Sequence, residues 1–273
     1  MAGLEVESVR TVRPGEGESL ARRAVTEGRR RILVAGGDGT VHEVVNGVMT
    51  AGLADTRELT LAVAPTGTGN DWARSLGVGR RPEAIAEVLA TGRTTLHDVG
   101  IIDHPQAATE PRRYFVNVAG AGFDAWVTAR VPRPVPSALT YLTMALRGLA
   151  TYRAPRFRIS SNDFAIEGKM LLVFVAIGQY CGNRMHVAPT ARPDDGLFDI
   201  LAVQELRLGA VLTKLAKLYG GRILGDPAVG HWRTARVRIE ASPAACVQAD
   251  GQMAGESPVE FSILRQALRV VVR

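Results

Sequence analysis

Residues 32–49 read ILVAGGDGTVHEVVNGVM, and this stretch decides the fold of the first part of the chain. An apolar run at 32–35 is followed by a glycine-rich pentapeptide at 36–40, and then by apolar residues that recur with the period of a helix. The recurring residues are Val41, Val44, Val45, Val48 and Met49. The pattern predicts a strand that turns directly into a helix.

The turn at 36–40 has the properties of a phosphate-binding loop. Glycines let backbone N–H groups approach an anion closely, and the N-terminus of the following helix adds partial positive charge. The carboxylate of Asp38 can reach a metal-bound phosphate. The residues predicted to hold a nucleotide here are Gly36, Gly37, Asp38, Gly39 and Thr40. Thr40 and Glu43 fit a capping box, so the helix is predicted over 40–51.

A second loop of the same type, PTGTGND at 65–71, follows another strand-like run at 59–64. Asn70 or Asp71 is the expected cap of the next helix. Loops at the same end of two adjacent parallel strands form one crevice, the usual ligand position in open α/β sheets. Neither loop is a P-loop, and neither is a dinucleotide fingerprint, because Trp72 stands where the third glycine should be. The nucleotide contacts expected from this loop are Gly67, Thr68, Gly69 and Asn70.

Strand and helix patterns alternate before residue 100, and strand patterns dominate after it. The first part has predicted strands at 31–36, 59–64 and 93–99 and helices at 40–51 and 82–91. This alternation predicts a parallel α/β nucleotide-binding domain over 1–100. The later predicted strands are 113–119, 156–160, 164–177, 197–203, 233–240 and 258–272. They predict a β-rich, sandwich-like domain over 101–273, with the last strand free to return to the first domain.

Two helical stretches, 137–152 and 205–219, interrupt the strand-rich part. The apolar face of the second is formed by Leu208, Val211, Leu212, Leu215 and Leu218. Packing of these faces on the sheet is the favoured interpretation, and contact with lipid is the alternative.

Composition bounds the class of protein. The chain has 273 residues, and 46% of them are hydrophobic. Its net charge of +6 suits an anionic partner such as a nucleotide or a membrane surface. A generally basic composition is the alternative explanation of this charge. Two distant cysteines, Cys181 and Cys246, do not form a disulfide framework or a zinc pattern. No apolar run reaches the length of a membrane span, so a cytoplasmic protein, soluble or peripheral at the membrane, is expected.

At these motifs the chain resembles the diacylglycerol kinase catalytic-domain family, the bacterial lipid kinases that are also similar to sphingosine and ceramide kinases. The resemblance runs from the segment around Thr11 to the C-terminus. Beyond the two loops, the matching segments are LHDVG (96–100), NVAGAGFD (117–124), Ala188-Pro189, DDGL (194–197) and Asp250-Gly251. The resemblance implies ATP- and Mg²⁺-dependent transfer of a phosphoryl group to diacylglycerol or a related membrane lipid, with no nucleic-acid partner. It does not decide between a monomer and a homodimer.

The resemblance also implies roles at the nucleotide. The backbones of both loops, with the hydroxyls of Thr40 and Thr68, are expected to hold the phosphates. Thr11 corresponds to a threonine at the nucleotide, and Glu43 is expected in the same set. Phosphoryl transfer needs positioning and charge neutralisation more than covalent chemistry.

Metal roles follow from the same resemblance. Asp38, Asp71 and Asp98 are expected to organise the catalytic Mg²⁺, since carboxylates are its preferred ligands. A helix cap is the alternative for Asp71, and a surface acid for Asp98. A second, structural Mg²⁺ is implied at Asp195, with the backbone carbonyls of Arg192 and Leu197 as its other ligands. An Asp-Gly turn is the alternative there.

The chain departs from the family at the expected proton acceptor. Asp250-Gly251 is followed by Gln252 in place of glutamate, and an amide cannot accept the proton of the substrate hydroxyl. Loss of a general base costs about 10²–10⁴ in rate. We therefore expect either a slow kinase or a kinase in which Asp250 or Glu256 acts as the proton acceptor.

Two further departures are the Cys181-Gly182-Asn183 loop and the short segment before Gly36, where the family's first strand and its Asn-Pro turn are missing. Either the true start lies further upstream, or the sheet lacks this edge strand. An NAD kinase is the alternative enzyme, because it also uses a GGDGT loop, but no GSTAY-type segment occurs. A nucleotide-binding regulatory protein without turnover is the alternative of another class, suggested by Gln252.

Overall fold

The computed structural model describes residues 6–106, 112–131, 138–206 and 208–273. The α-helices in these ranges are α1 (Glu16–Thr26), α2 (Asp38–Met49), α3 (Asp71–Ser75), α4 (Pro82–Thr91), α5 (Phe123–Thr128), α6 (Ala138–Thr151) and α7 (Leu208–Tyr219). None of the helices described is long and apolar enough to cross a membrane.

The strands cover most of the second half of the chain. They are β1 (Arg31–Gly36), β2 (Thr60–Pro65), β3 (Thr94–Asp103), β4 (Arg113–Phe115), β5 (Val118–Gly122), β6 (Arg156–Ser160), β7 (Ala165–Ala176), β8 (Tyr180–Cys181), β9 (Met185–His186), β10 (Phe198–Gln204), β11 (Val229–Thr234), β12 (Arg236–Ser242), β13 (Cys246–Ala249), β14 (Gln252–Glu256) and β15 (Val259–Val271). This mixed α/β architecture with a β-rich C-terminal part confirms the predicted fold class.

Strands β1 and β2 are adjacent and parallel, with Gly36 paired to Pro65 at their carboxyl ends. The two glycine-rich loops therefore leave the sheet side by side, as the sequence predicts. Both strands precede a helix, α2 and α3 respectively, so both helix N-termini point toward the same crevice.

The last strand, β15, lies between β2 and β3. It runs parallel to β2, where Arg269 pairs with Thr60, and antiparallel to β3 along its length. The predicted parallel sheet holds for β1, β2 and β15, whereas β3 is antiparallel to its neighbour β15, because the C-terminal strand inserts beside β2 in place of the strand next along the chain. The domain boundary at residue 100 stays a prediction.

The C-terminal part forms two layers. Strand β7 pairs with β6 through its first residues and with β5 and β10 through its last, so it passes from one layer to the other. The predicted strand at 233–240 is two strands, since β11 ends at Thr234 in one layer and β12 begins at Arg236 in the other. The predicted strand at 113–119 is likewise split into β4 and β5.

Two of the four apolar cores among the described residues bear on the site. The first lies under α2 and includes Val45, Leu61 and Trp72, and the second lies between the layers around Phe115. The ring of Phe115 stacks on Phe198 at 5.8 Å and meets Phe261 edge-on at 6.1 Å. Strand β15 contributes to both cores, through Leu268 to the first and Phe261 to the second. Strand β15 therefore packs in both cores and connects the two halves of the chain.

Helices α4, α6 and α7 lie where the sequence predicts them, although parts of the predictions fall outside the described residues. Gly92 adopts the left-handed conformation that ends α4. Leu218 of α7 packs partly buried against a further apolar core that includes Phe174 and Leu201, whereas the side chains of the other residues on its predicted apolar face lie outside the described set. Helix α1 is not predicted. It packs so closely on α2 that a β-carbon on Gly47 would lie 2.2 Å from the carbonyl oxygen of Glu18.

Candidate active site

The two glycine-rich loops touch each other at their glycines. A β-carbon on Gly67 would lie 2.4 Å from the Cα atom of Gly37, closer than side chains tolerate. The side chain of Asn70 fixes the second loop, accepting from the backbone N–H of Gly67 at 2.9 Å and donating to its carbonyl at 2.7 Å. Asn70 is the N-cap residue of α3, but its side chain bonds within the loop and not to the helix.

The predicted capping box at Thr40 and Glu43 is wrong. Helix α2 begins at Asp38, and its N-cap is Gly37 in an extended conformation without a side-chain cap. Glu43 instead accepts from the backbone N–H groups of Gly15 and Gly17, at 2.8 and 2.9 Å. Glu43 therefore ties the start of α1 to α2, next to the exposed segment that carries Thr11.

Two carboxylates face each other over the second loop. A β-carbon on Gly69 would lie 2.8 Å from Asp38 Oδ2 and 3.4 Å from Asp71 Oδ2. Asp38 Oδ1 also accepts from the backbone N–H of Trp72 at 3.2 Å. Burial raises the pKa of Asp38, and the negative charges of Asp71 and Asp250 add to that effect. The structure thus brings together the acids of the two motifs.

Asp71 also joins the first half of the chain to the second. Its two oxygens accept from the backbone N–H groups of Asn183 at 2.9 Å and Arg184 at 2.8 Å. Both residues are left-handed, with φ of 66° and 76°, in the turn between β8 and β9. Two charge-assisted bonds to a buried carboxylate stabilise a backbone shape that is unfavourable for residues other than glycine.

Asp250 is buried beneath the site. Its oxygens accept from the backbone N–H groups of Val116, Asn117 and Val118 at 3.0 to 3.1 Å. His42 Nδ1 lies 3.5 Å from Asp250 Oδ2. This arrangement ties down the backbone at the start of the NVAGAGFD segment.

Gln252 lies against the first loop, since a β-carbon on Gly39 would be 2.7 Å from its Nε2 atom. The residue that replaces the expected glutamate is therefore at the site. Glu256, at the end of β14, is exposed and lies near the thiol of Cys246.

Asp98 lies against the DDGL turn. Its oxygens accept from the backbone N–H groups of Gly196 at 2.7 Å and Gln266 at 2.6 Å. The metal role expected of Asp98 stays a prediction. The two backbone bonds make Asp98 a joint between the DDGL turn and β15.

Within the predicted metal-binding segment 192–197, the carboxylate of Asp195 already pairs with a positively charged side chain of the protein. Asp195 forms an ion pair with Arg233, and its other oxygen accepts from the backbone N–H of Leu197 at 3.0 Å. The exposed Arg192 side chain lies 3.6 Å from Asp194. Among the described residues no group of three or more acidic, histidine or cysteine side chains has a metal-binding arrangement. The metal role of Asp195 stays a prediction, and it fits poorly because the guanidinium already neutralises the carboxylate.

Sequence reasoning assigned no role to Asp124 at the start of α5. Its Oδ2 accepts from Gln248 Nε2 at 3.0 Å, while its Oδ1 is buried and has no hydrogen-bond partner among the described residues. Burial raises its pKa to about 6. Its place in the matched NVAGAGFD segment was the available signal.

Comparisons with known proteins agree along the whole chain. Residues 1–102 match the family described as the diacylglycerol kinase catalytic domain, and residues 117–272 match the YegS C-terminal NAD kinase beta sandwich-like domain. A diacylglycerol kinase of Bacillus subtilis (strain 168) is 30% identical over 275 residues, which cover 99% of this chain and 87% of that protein. A diacylglycerol kinase of Staphylococcus epidermidis is 26% identical, covering 98% and 82%.

The fold is shared with a solved structure. The crystal structure of a diacylglycerol kinase from Bacillus anthracis str. Sterne superposes with a TM-score of 0.74 at 21% identity, covering 97% of this chain and 84% of that one. Together with the matched family over both halves, these similarities show that the chain belongs to the diacylglycerol kinase family.

Proposed function

We propose that the protein is a lipid kinase that uses ATP and Mg²⁺ to phosphorylate a hydroxyl of diacylglycerol or a related lipid. The observation that carries the proposal is the meeting of Asp38 and Asp71 above two touching glycine loops. The names of the relatives in Bacillus and Staphylococcus support a lipid acceptor.

The residues at this site fit ATP with Mg²⁺. The loops offer backbone N–H groups at two adjacent strand ends, the arrangement that binds phosphates. Asp38 and Asp71 would hold the metal, because two neighbouring carboxylates repel each other and a divalent cation relieves that repulsion. Bound Mg²⁺ would supply charge neutralisation on the transferred group.

We assign part of an acyl chain of the acceptor to an apolar cavity in the C-terminal part. It has a volume of about 240 Å³ and is lined by Gly122, Trp126, Tyr152, Pro155 and Cys246, among others. Phe123 and Trp126 stack at 6.1 Å, and both rings meet Tyr152 edge-on. The aromatic walls suit an acyl chain, and the exposed Arg153 at the edge of the cavity suits a polar head group. Together with the net charge of +6, this favours contact with a membrane surface.

Catalysis by this chain would consist of placement. The loop backbones orient the phosphates, while Asn70 and the Asp71 bonds to the β8–β9 turn hold the crevice in one shape. In-line alignment of donor and acceptor supplies most of the acceleration in phosphoryl transfer.

The proposal is tested by transfer of label from γ-labelled ATP to a total lipid extract, with diacylglycerol vesicles as the defined acceptor. A labelled lipid monophosphate is expected. ATP binding without any lipid-dependent transfer would favour the regulatory protein suggested by Gln252. Label on NAD in place of lipid would favour the NAD kinase alternative.

A further inference from the structure

Helix α3 carries Asp71 but is too short to fix its own direction. It has five residues, Asp71–Ser75, and its N-cap residue Asn70 makes no side-chain bond to it. A helix of this length is not stable by itself, so the orientation of α3 depends on tertiary contacts. Trp72 is its most buried residue, with only 1% of its surface exposed. The contacts of Trp72 therefore decide how α3 sits at the site.

Trp72 connects the first loop to strand β3 through its two N–H groups. Its backbone N–H donates to Asp38 Oδ1 at 3.2 Å. Its indole Nε1–H donates to Nε2 of His97 at 3.3 Å, and the two rings meet edge-on with their centroids 5.8 Å apart. One residue, directly after Asp71 in the chain, thus links the carboxylate of Asp38 to a buried histidine.

The hydrogen bonds of His97 determine which ring nitrogen carries the proton. Nδ1 lies 2.6 Å from the carbonyl oxygen of Asp98, which can only accept, so Nδ1 must donate. The indole N–H of Trp72 can only donate, so Nε2 of His97 must be the accepting nitrogen. His97 is fully buried, and this burial lowers its pKa to about 4, which agrees with a neutral ring. The ring therefore offers a fixed acceptor to the indole.

A shift in strand register holds the ring in place. Leu268 of β15 pairs with His97, but the register shifts beside this pair, and no residue of β15, which is described throughout, pairs in register with Asp98. The carbonyl of Asp98 accepts from the ring of His97, while its backbone N–H donates to the carbonyl of Pro193 at 2.7 Å. The strand on both sides of the ring is thus anchored, so Nε2 points at Trp72 in one orientation.

We propose that His97 is a positioning residue for phosphoryl transfer, because its Nε2 atom orients the indole of Trp72 and, through it, the backbone N–H that holds Asp38. The inference rests on the proposed kinase function, in which Asp38 and Asp71 hold Mg²⁺. Removing a hydrogen-bond partner that orients a metal ligand typically costs about 10–100-fold in metal affinity or activity. His97 acts only through Trp72.

The test compares wild type with three variants. His97→Phe keeps a ring and removes the acceptor, Trp72→Phe removes the donor, and the third variant combines both. With labelled ATP and diacylglycerol vesicles, each single substitution should lower kcat about tenfold and raise the Mg²⁺ concentration for half the maximal rate about tenfold, while the KM for lipid stays within about twofold. The double variant should be within about twofold of the slower single variant, because both substitutions remove the same bond.

Two control variants and a binding measurement separate positioning from loss of stability. Val237→Ala creates a cavity in the second core and should lower the melting temperature without changing kcat or the half-saturating Mg²⁺ concentration. Trp232→Phe removes an indole from the same core, where Trp232 stacks on Phe164, and should also leave both values unchanged. Calorimetric titration with ADP at a series of Mg²⁺ concentrations needs no turnover. It should show the same weakening of Mg²⁺-dependent binding in His97→Phe and Trp72→Phe.

The assignment is overturned if both single variants keep kcat and half-saturating Mg²⁺ within about threefold of Val237→Ala, or if their effects multiply in the double variant. If His97→Phe does not fold, Trp72→Phe decides on the same measurements, since it keeps the ring of His97 and its bond to Asp98. An active wild type with unchanged variants overturns the role of His97 alone. A wild type that labels no lipid overturns the kinase function, and the ADP titration then decides on His97.

Discussion

Gly37 and Gly67 lie in direct backbone contact, with the Cα atom of Gly37 only 2.4 Å from the position of a β-carbon on Gly67. The contact joins the ends of β1 and β2 and forms the floor of the crevice. Any side chain at Gly67 must push the two loops apart, so the shape of the phosphate-binding surface depends on this pair.

Gly67→Ala should therefore weaken ATP binding by about tenfold or more and lower the free energy of unfolding by about 1–3 kcal/mol, the usual cost of overpacking. Calorimetric titration with ATP and urea unfolding measure the two effects. Gly168→Ala in β7 is the matched control, because a β-carbon there has open space around it. Equal effects of the two substitutions would contradict the role given to the contact.

The sequence predicts the two loops well because their information is local. The patterns of a strand, a glycine-rich turn and a periodic helix all occur within residues 32–49. The insertion of β15 beside β2 is not predictable in this way, since the pairing of Arg269 with Thr60 joins residues far apart in the chain.

The same distinction between local sequence and long-range contact applies to the candidate site. The loop residues are evident from their motifs, whereas the turn at Asn183 reaches the crevice only through its tertiary contact with Asp71. The capping box failed for a local reason. The extended conformation of Gly37 allows α2 to begin two residues before Thr40.

The ion pair of Asp195 with Arg233 leads to a prediction about metal dependence. Because the guanidinium supplies the positive charge at this carboxylate, any rise of the melting temperature with millimolar Mg²⁺, measured without nucleotide, should be the same in wild type and in Asp195→Ala. Arg233→Gln should lower the melting temperature and make its rise with Mg²⁺ larger than that of wild type by mass action. Arg238→Gln, at a surface pair with Glu240, is the control.

A wild-type melting temperature that rises with Mg²⁺ and loses this response in Asp195→Ala would instead support the structural metal that the family resemblance implies. Asp195→Asn is a useful companion variant, since it removes the charge and keeps the size. It should leave Arg233 with Asp199 as its remaining partner at 3.4 Å.

Asp199 gives a prediction about acid stability. Burial opposes its ionisation, but hydrogen bonds from His231 and Thr190 and the charge of Arg233 hold its pKa below the ordinary value. A lowered pKa in the folded state stabilises the protein above the unfolded pKa of about 4, and this contribution is lost as the pH falls through the folded value. Asp199→Asn should be less stable at pH 7 and should lose less free energy of unfolding between pH 5 and pH 3, roughly the window of carboxylate protonation.

Urea unfolding at a series of pH values measures this difference. Asp163→Asn serves as the exposed control. Parallel pH profiles for wild type and Asp199→Asn would show that the network around Arg233 does not depend on this carboxylate.

The most direct test of the account is the rate of phosphoryl transfer by Asp38→Asn. The substitution keeps the size of the side chain and its bond to the Trp72 N–H group, and it removes the charge that faces Asp71. With γ-labelled ATP and diacylglycerol vesicles, transfer should fall by about 10²-fold or more while the melting temperature stays at or above that of wild type. Transfer within about threefold of wild type would contradict the assignment of the first loop to phosphoryl transfer.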